Sequence, residues 1–481
     1  MNYGGPAGDD HSMPASETTH PPMAAAPADV PAPVDVPAPV DVPAPVDVPA
    51  PASRPRRRWP LWAALGAVLL TLSGGIPVVL LTGALSHVEV GEPATAASPT
   101  ENPTTVAARQ VAERITAQLD KQSAALLSGD RSGFLGIAAP AARGDLRQRF
   151  AALRALRVTR WEARPSSLPM TAGKAGEWRL AVEFQYCFVT PDCRPSPLIV
   201  ETRWRDGAEP RMLAIGRSKP APTVGDRANG QPGSLPWEVS ALATKTGKRT
   251  IVAVPPAHRN RLPGLLKRAE AAAKVADEYV VGGTKPDRYR IFYAGTKEWK
   301  RWYGGDHPEW SAGYAVNVGG GHYELVLAPD SFDYGPGLDE VLRHELAHAA
   351  TLPEKRDYSD ESSWWLVEGL AELAAVDGQP IARYAGLSDT RRLVKGDWDG
   401  KLDTIAPDED TTDKAVTGSY GIAYLAARYF LERFGEERLL AFAKVVLHDR
   451  RIPRQTAEEI FDEPWSDLHK ECVAYIRAAV R

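Results

Sequence analysis

Apolar residues recur at every third or fourth place from Val106 to about Leu156, as in VAARQVAERITAQLDKQSAALLSG, and this spacing predicts helices. The pattern then changes period. EWRLAVEFQYCF alternates, and PLIVETRW and RMLAIGR flank an Asp206–Gly207 turn signal, which predicts antiparallel strands. A Gly- and Pro-rich break, TVGDRANGQPGSLP, separates this series from a second one near Trp237. There a hairpin-like ALATKTGKRTIVAVP leads into a helical RLPGLLKRAEAAAKVADEYV, a strand RYRIFYAG and a short helix TKEWKRWYG. Two strands, AGYAVNV and HYELVLAP, follow, joined by glycines, and from Leu338 onward the periodicity is mostly helical.

One stretch has no period at all. From Trp59 to Leu85 no residue is charged, a run longer than the ~20 apolar residues that cross a bilayer. Arg54, Arg56, Arg57 and Arg58 stand just before it, so the positive-inside rule puts the N-terminus in the cytoplasm and everything after Leu85 outside. A cleaved signal peptide is the rival reading. The preceding segment is far too long for an ordinary n-region, which favours an uncleaved anchor at the cell membrane. Ahead of it, residues 1–58 carry the repeat VPAPVDVPAPVDVPAPVDVPAP from Val30 to Pro51. Proline at that density blocks helix and sheet bonding and predicts an extended cytoplasmic tail, either a solvated spacer or a ligand for a proline-binding protein partner. Residues 86–104 read as a polar linker, 105–220 as a small α+β domain and 237–481 as a further domain. The order of helices and meander in 105–220 is similar to that of nuclear-transport-factor-like cones.

Composition narrows the chemistry. A net charge of -4 argues against a nucleic-acid binder. With only Cys187, Cys193 and Cys472, the chain is neither a disulfide scaffold nor a cysteine-rich zinc protein. Cys187 and Cys193 bracket FVTPD. Outside the cell they would form a disulfide across a local turn; two free buried thiols are the alternative.

A catalytic metal would then need histidines and carboxylates. In VLRHELAHAAT, residues 341–351, His344 and His348 stand at i and i+4 and project from one helical face. Glu345 lies one position round, within reach of a metal-bound water. Two histidines do not make a catalytic zinc site, which wants three protein ligands and an open position. The next helical segment, SSWWLVEGLAELAAVDG, offers Glu368 and Glu372 at i and i+4 among Trp365, Leu366, Val367, Leu370 and Leu373. The bland reading makes these glutamates the wet face of an amphipathic helix. Carboxylates in so apolar a helix are costly to bury unless paired or ligating, which favours the metal reading. Ser362 or Ser363 would cap this helix and Gly378 would end it.

HELAH followed by WWLVEGLAEL resembles the gluzincins, the peptidase MA-like zinc metallopeptidases. The resemblance covers roughly residues 237–481. It implies a zincin-like peptidase domain, a mixed sheet followed by a helical half, with His344, His348 and Glu368 holding Zn2+ and Glu345 as general base. It further implies that Glu372 orients a ligating histidine. From SYGIAYLAARYFLERFG, residues 419–435, it makes Tyr420 the candidate for stabilising the oxyanion, with Tyr424 behind it; both are alternatively core aromatics. The expected function is peptide-bond hydrolysis outside the cell by a zinc-activated water. The absence of a GAMEN-type exopeptidase signature favours an endopeptidase. HYELVLAP, residues 322–329, would bind an extended peptide by strand addition if it formed a sheet edge, and is otherwise a plain strand. The alternative is an inactive peptidase fold serving as a binding or sensor protein at the cell surface. An intramembrane protease is excluded by the charges flanking the motif.

Overall fold

A computed structural model describes residues 102–218, 234–283, 285–305, 312–335, 337–353, 361–396, 398–408 and 410–481. The expected tail, membrane span and most of the linker lie outside these residues. Among the described residues no helix is long and apolar enough to cross a membrane.

The linker expected over 86–104 gives way to helix at Pro103. Asn102 caps α1 (Pro103–Ser128) through its side chain, which accepts from Thr104 N at 2.9 Å. Helices α2 (Arg131–Gly136) and α3 (Arg143–Ala155) follow. Next come β1 (Val158–Pro165), β2 (Met170–Thr171), β3 (Glu177–Phe188), β4 (Ser196–Arg205) and β5 (Arg211–Ile215). They form one antiparallel sheet, ordered β1-β3-β4-β5, with β2 paired to β3. Along β4 buried and exposed residues alternate without a break, so one face of this sheet is packed and the other is wet.

The second series begins with the short helix α4 (Pro236–Val239), the hairpin β6 (Ala243–Thr246) and β7 (Thr250–Val254), and α5 (Leu262–Ala276). Strand β8 (Tyr289–Tyr293), helix α6 (Thr296–Trp299) and strands β9 (Gly313–Asn317) and β10 (Tyr323–Leu327) complete a mixed sheet ordered β6-β7-β8-β10-β9. Strands β7, β8 and β10 run parallel; β6 and β9 are the antiparallel edges. HYELVLAP is therefore an inner strand, and the edge belongs to β9.

Every residue of β7, β8 and β10 is buried, because this sheet is covered on both faces. Val252, Val254, Ile291, Leu325 and Leu327 pack against α5 and α7 (Gly337–Thr351). The alternate residues, Ile251, Ala253, Phe292, Val316 and Val326, join the core of the first sheet around Trp161, Tyr186, Trp204 and Trp237. Polar groups cross the same junction. Arg290 and Glu324, 2% and 0% exposed, lie 3.7 Å apart, and Arg290 reaches Ser196 Oγ on β4 at 3.1 Å. The C-terminal half is helical: α8 (Trp364–Val376), α9 (Leu387–Lys395), α10 (Asp413–Ala443, broken at Gly435), α11 (Pro453–Phe461) and α12 (Trp465–Ala479).

Candidate metal centre

Helix α7 lies between the mixed sheet and α8. Leu338, Leu342 and Leu346 hold it to the sheet, which turns His344 and His348 toward α8. Arg343 anchors α8 in return. Its Nε donates to the carbonyls of Ala374 and Ala375 at 3.1 and 2.9 Å, satisfying acceptors at the C-terminal end of that helix. Gly369 permits the third approach. A Cβ there would lie 2.5 Å from the Ala423 carbonyl oxygen, so α8 and α10 meet where only glycine fits.

These contacts bring three donors together. His344 Nε2 and His348 Nε2 are 3.1 Å apart, and Glu368 Oε2 is 3.4 and 3.3 Å from them. Ligands of a tetrahedral zinc with bonds of about 2.0–2.1 Å stand about 3.3 Å from one another. Glu368 is 2% exposed, and its Oε2 has no hydrogen-bond partner among the described residues. A buried carboxylate oxygen facing two ring nitrogens, with no hydrogen bond of its own, fits a cation at their centre. The donor set of two imidazoles and one carboxylate is one that zinc takes.

Around these three side chains stand the other expected residues. His344 Nδ1 is 3.0 Å from Glu372 Oε1, which fixes the ring and leaves Nε2 to face the centre. Glu345 is 8% exposed; burial raises its pKa, against the pull of His344 and His348. Burial also opposes ionising Glu368, but His348 and His344 hold its carboxyl far below the usual range. His344 is the converse: burial disfavours its charge, yet Glu368 and Glu372 raise its pKa well above the ordinary value.

Tyr420 is half-buried on α10, its ring 6.0 Å from that of His344 and 5.1 Å from that of Trp364. Tyr424 is fully buried and turned to structural use: its hydroxyl accepts from Arg428 at 2.6 Å and its ring stacks on Tyr384 at 4.7 Å. Ser363 occupies the N-cap of α8 without a side-chain cap bond. That helix ends at Asp377, left-handed at φ 50°, one residue before the expected Gly378. Away from the centre, Cys187 and Cys193 are joined in a disulfide, and Cys472 is a free buried thiol.

Two contributors escaped the sequence reading. Tyr384 lines the same cavity as Glu372, the carboxylate that orients His344, and burial together with that carboxylate raises its pKa well above the ordinary value. Nothing local in IARYAGLS marks it. Arg343 directly precedes His344, and in a helix already rich in charge nothing local distinguishes it from a surface arginine; its partners, the Ala374 and Ala375 carbonyls, lie on another helix. The centre opens into a cavity of about 450 Å³ lined by His344, Glu345, Glu372, Tyr384, Tyr420 and Gly313 of the edge strand. Glu340, Asp413 and Arg383 stand exposed at its wall.

No family model matches the sequence, and no curated protein matches it. Among solved structures the chain is similar to native yeast LTA4 hydrolase, at 13% identity and TM-score 0.33, covering 63% of this chain and 65% of that one. It is also similar to an M1 zinc metallopeptidase from Deinococcus radiodurans, at 14% identity and TM-score 0.32, covering 67% and 61%. Yeast LTA4 hydrolase in complex with bestatin gives 15% identity and TM-score 0.31, covering 60% and 47%. The chain thus spans less than two thirds of the length of each. These are remote likenesses of fold, and the metal centre is defined by its own side chains. The chain is a mixed α+β protein with M1 zinc metallopeptidases among its structural neighbours.

Proposed function

We propose that this protein is a zinc-dependent peptidase, tethered by an N-terminal membrane span with its catalytic part outside the cell. The observation that carries the reading is the triangle of His344 Nε2, His348 Nε2 and Glu368 Oε2, its edges between 3.1 and 3.4 Å, of which His344 lines the cavity together with Glu345. The membrane arrangement rests on the uncharged run from Trp59 to Leu85 and the arginines before it.

His344, His348 and Glu368 would hold a zinc ion, which would supply Lewis acidity toward a bound water and a substrate carbonyl. The chain's own residues supply the rest. Glu345, on the cavity floor beside both histidines, accepts a proton from the attacking water and returns it to the leaving amine. Glu372 keeps His344 in the tautomer whose Nε2 is free to ligate. The Tyr420 hydroxyl is the donor available to a developing oxyanion; burial and the surrounding glutamates keep it protonated. The edge of β9, which contributes Gly313 to the cavity, can take an extended peptide as an added strand.

The test is metal content together with peptide-library cleavage by the full-length protein. The expected result is about one tightly held zinc per chain, cleavage abolished by chelation, and cleavage lost without loss of zinc in Glu345→Gln. Zinc without any cleavage that Glu345→Gln abolishes would mark a binding or sensor protein instead. Absence of zinc from the centre would sink the assignment.

A further inference from the structure

A second group of ligand-type side chains lies at the other end of β10. Gly313 of the cavity pairs with Leu327 at the carboxyl end of that strand, whereas His322 immediately precedes its first residue. Strands β8 and β10 are parallel, so Asp287, just before β8, lies beside His322. The loop after β3 brings Cys193 to the same place. One donor atom from each of Cys193, Asp287 and His322 lies within 4.8 Å of the other two.

The hydrogen bonding of His322 makes this more than proximity. Its Nε2 is 2.8 Å from the carbonyl oxygen of Arg194. A carbonyl only accepts, so Nε2 carries the ring proton. Its Nδ1 is 3.2 Å from Asp287 Oδ1 and has no hydrogen bond among the described residues. In a neutral ring that is a lone pair aimed at a carboxylate oxygen, two acceptors facing each other. The side chain is 5% exposed. An N–H bonded to a backbone carbonyl, with the opposite nitrogen free, is how a ligating histidine is held. The Nδ1–Oδ1 separation is also close to the ~3.3 Å edge of a tetrahedral zinc site.

Cys193 is bonded to Cys187, so neither sulfur can ligate in the disulfide form. Reduction would free both, adjacent to the histidine and the aspartate. Two thiolates, one imidazole and one carboxylate are a set of four zinc donors. Asp287, 18% exposed, opens the group to solvent.

We propose that Cys187, Cys193, His322 and Asp287 form a second zinc site that exists only when the Cys187–Cys193 disulfide is reduced. The chemistry balances with a phosphine as reductant. Phosphorus gives two electrons to the disulfide, the S–S bond breaks, water supplies two protons to the thiols and its oxygen to the phosphine oxide. Zinc then displaces the two thiol protons. The disulfide closes only the loop after β3, whereas the metal would also tie that loop to the segments before β8 and β10.

The test compares zinc content of the full-length protein before and after reduction by a water-soluble phosphine, with zinc added and excess removed without air. We expect about one zinc per chain oxidised and about two reduced. His322→Ala should return the reduced protein to about one. Cobalt in place of zinc should give a thiolate-to-cobalt charge-transfer band only after reduction. Double substitution of His344 and His348 by alanine should remove one equivalent from both states and leave the reduction-dependent one, which separates this site from the proposed catalytic centre. Equal stoichiometry in both redox states, with no thiolate band, would overturn the proposal and leave His322 and Asp287 as an ion pair. A reduced chain that loses its circular-dichroism signal and does not regain it on adding zinc would overturn it as well.

Discussion

Glu372 touches His344 and shares a cavity wall with Tyr384, so its influence on a metal would act through the tilt and tautomer of one ring. Glu372→Ala is expected to weaken zinc binding about 10–100-fold, measured by competition with a chromogenic chelator. Tyr384→Phe, which removes only a hydroxyl from that wall, should weaken it less; an equal loss would mean that Tyr384 acts by packing. Tyr420 is a separate case. Its half-exposed ring lies over His344 without ligating, so Tyr420→Phe should leave zinc content intact. If its hydroxyl serves the oxyanion, kcat should drop roughly 10²-fold with little change in KM. A shift confined to KM would reassign Tyr420 to substrate contact.

Helix α8 carries Glu368, the third proposed ligand, and its setting separates what a single helix determines from what its partners determine. The i, i+4 spacing of His344 with His348 and of Glu368 with Glu372 is a property of a single helix, so it was legible. The inner place of β10 was not, because strand order depends on partners far along the chain. Nor was the reason for Gly369, whose lost side chain matters only against α10. Gly369→Ala sets a methyl against the Ala423 carbonyl and the Ala427 side chain. It should destabilise the fold by about 1–3 kcal/mol in urea unfolding, outweighing the better helix propensity of alanine. Arg343→Met, which strands the carbonyls of Ala374 and Ala375, should cost about 1–3 kcal/mol in the same measurement.

At the scale of the molecule, the expected boundary between residues 105–220 and 237–481 runs through a single apolar cluster. Alternating residues of β7, β8 and β10 supply one face to the helices and the other to the first sheet, a division that period-two patterning cannot reveal when both faces are buried. Arg290 and Glu324 lie inside this junction. Arg290→Met leaves the Glu324 carboxylate buried beside an uncharged chain and should cost about 3–5 kcal/mol. Tryptophan fluorescence and far-ultraviolet circular dichroism should still report one common transition, since both sheets contribute to one apolar cluster. Two separated transitions would contradict the shared core.

That shared core makes covalent continuity between the halves dispensable. Trp237, Phe292 and Val316 are sealed by Trp161, Tyr186 and Trp204, not by the peptide chain that runs from one half to the other. A protease site engineered between residues 219 and 233 should therefore yield, after cutting, two fragments that migrate as one particle in size-exclusion chromatography and separate only in denaturant.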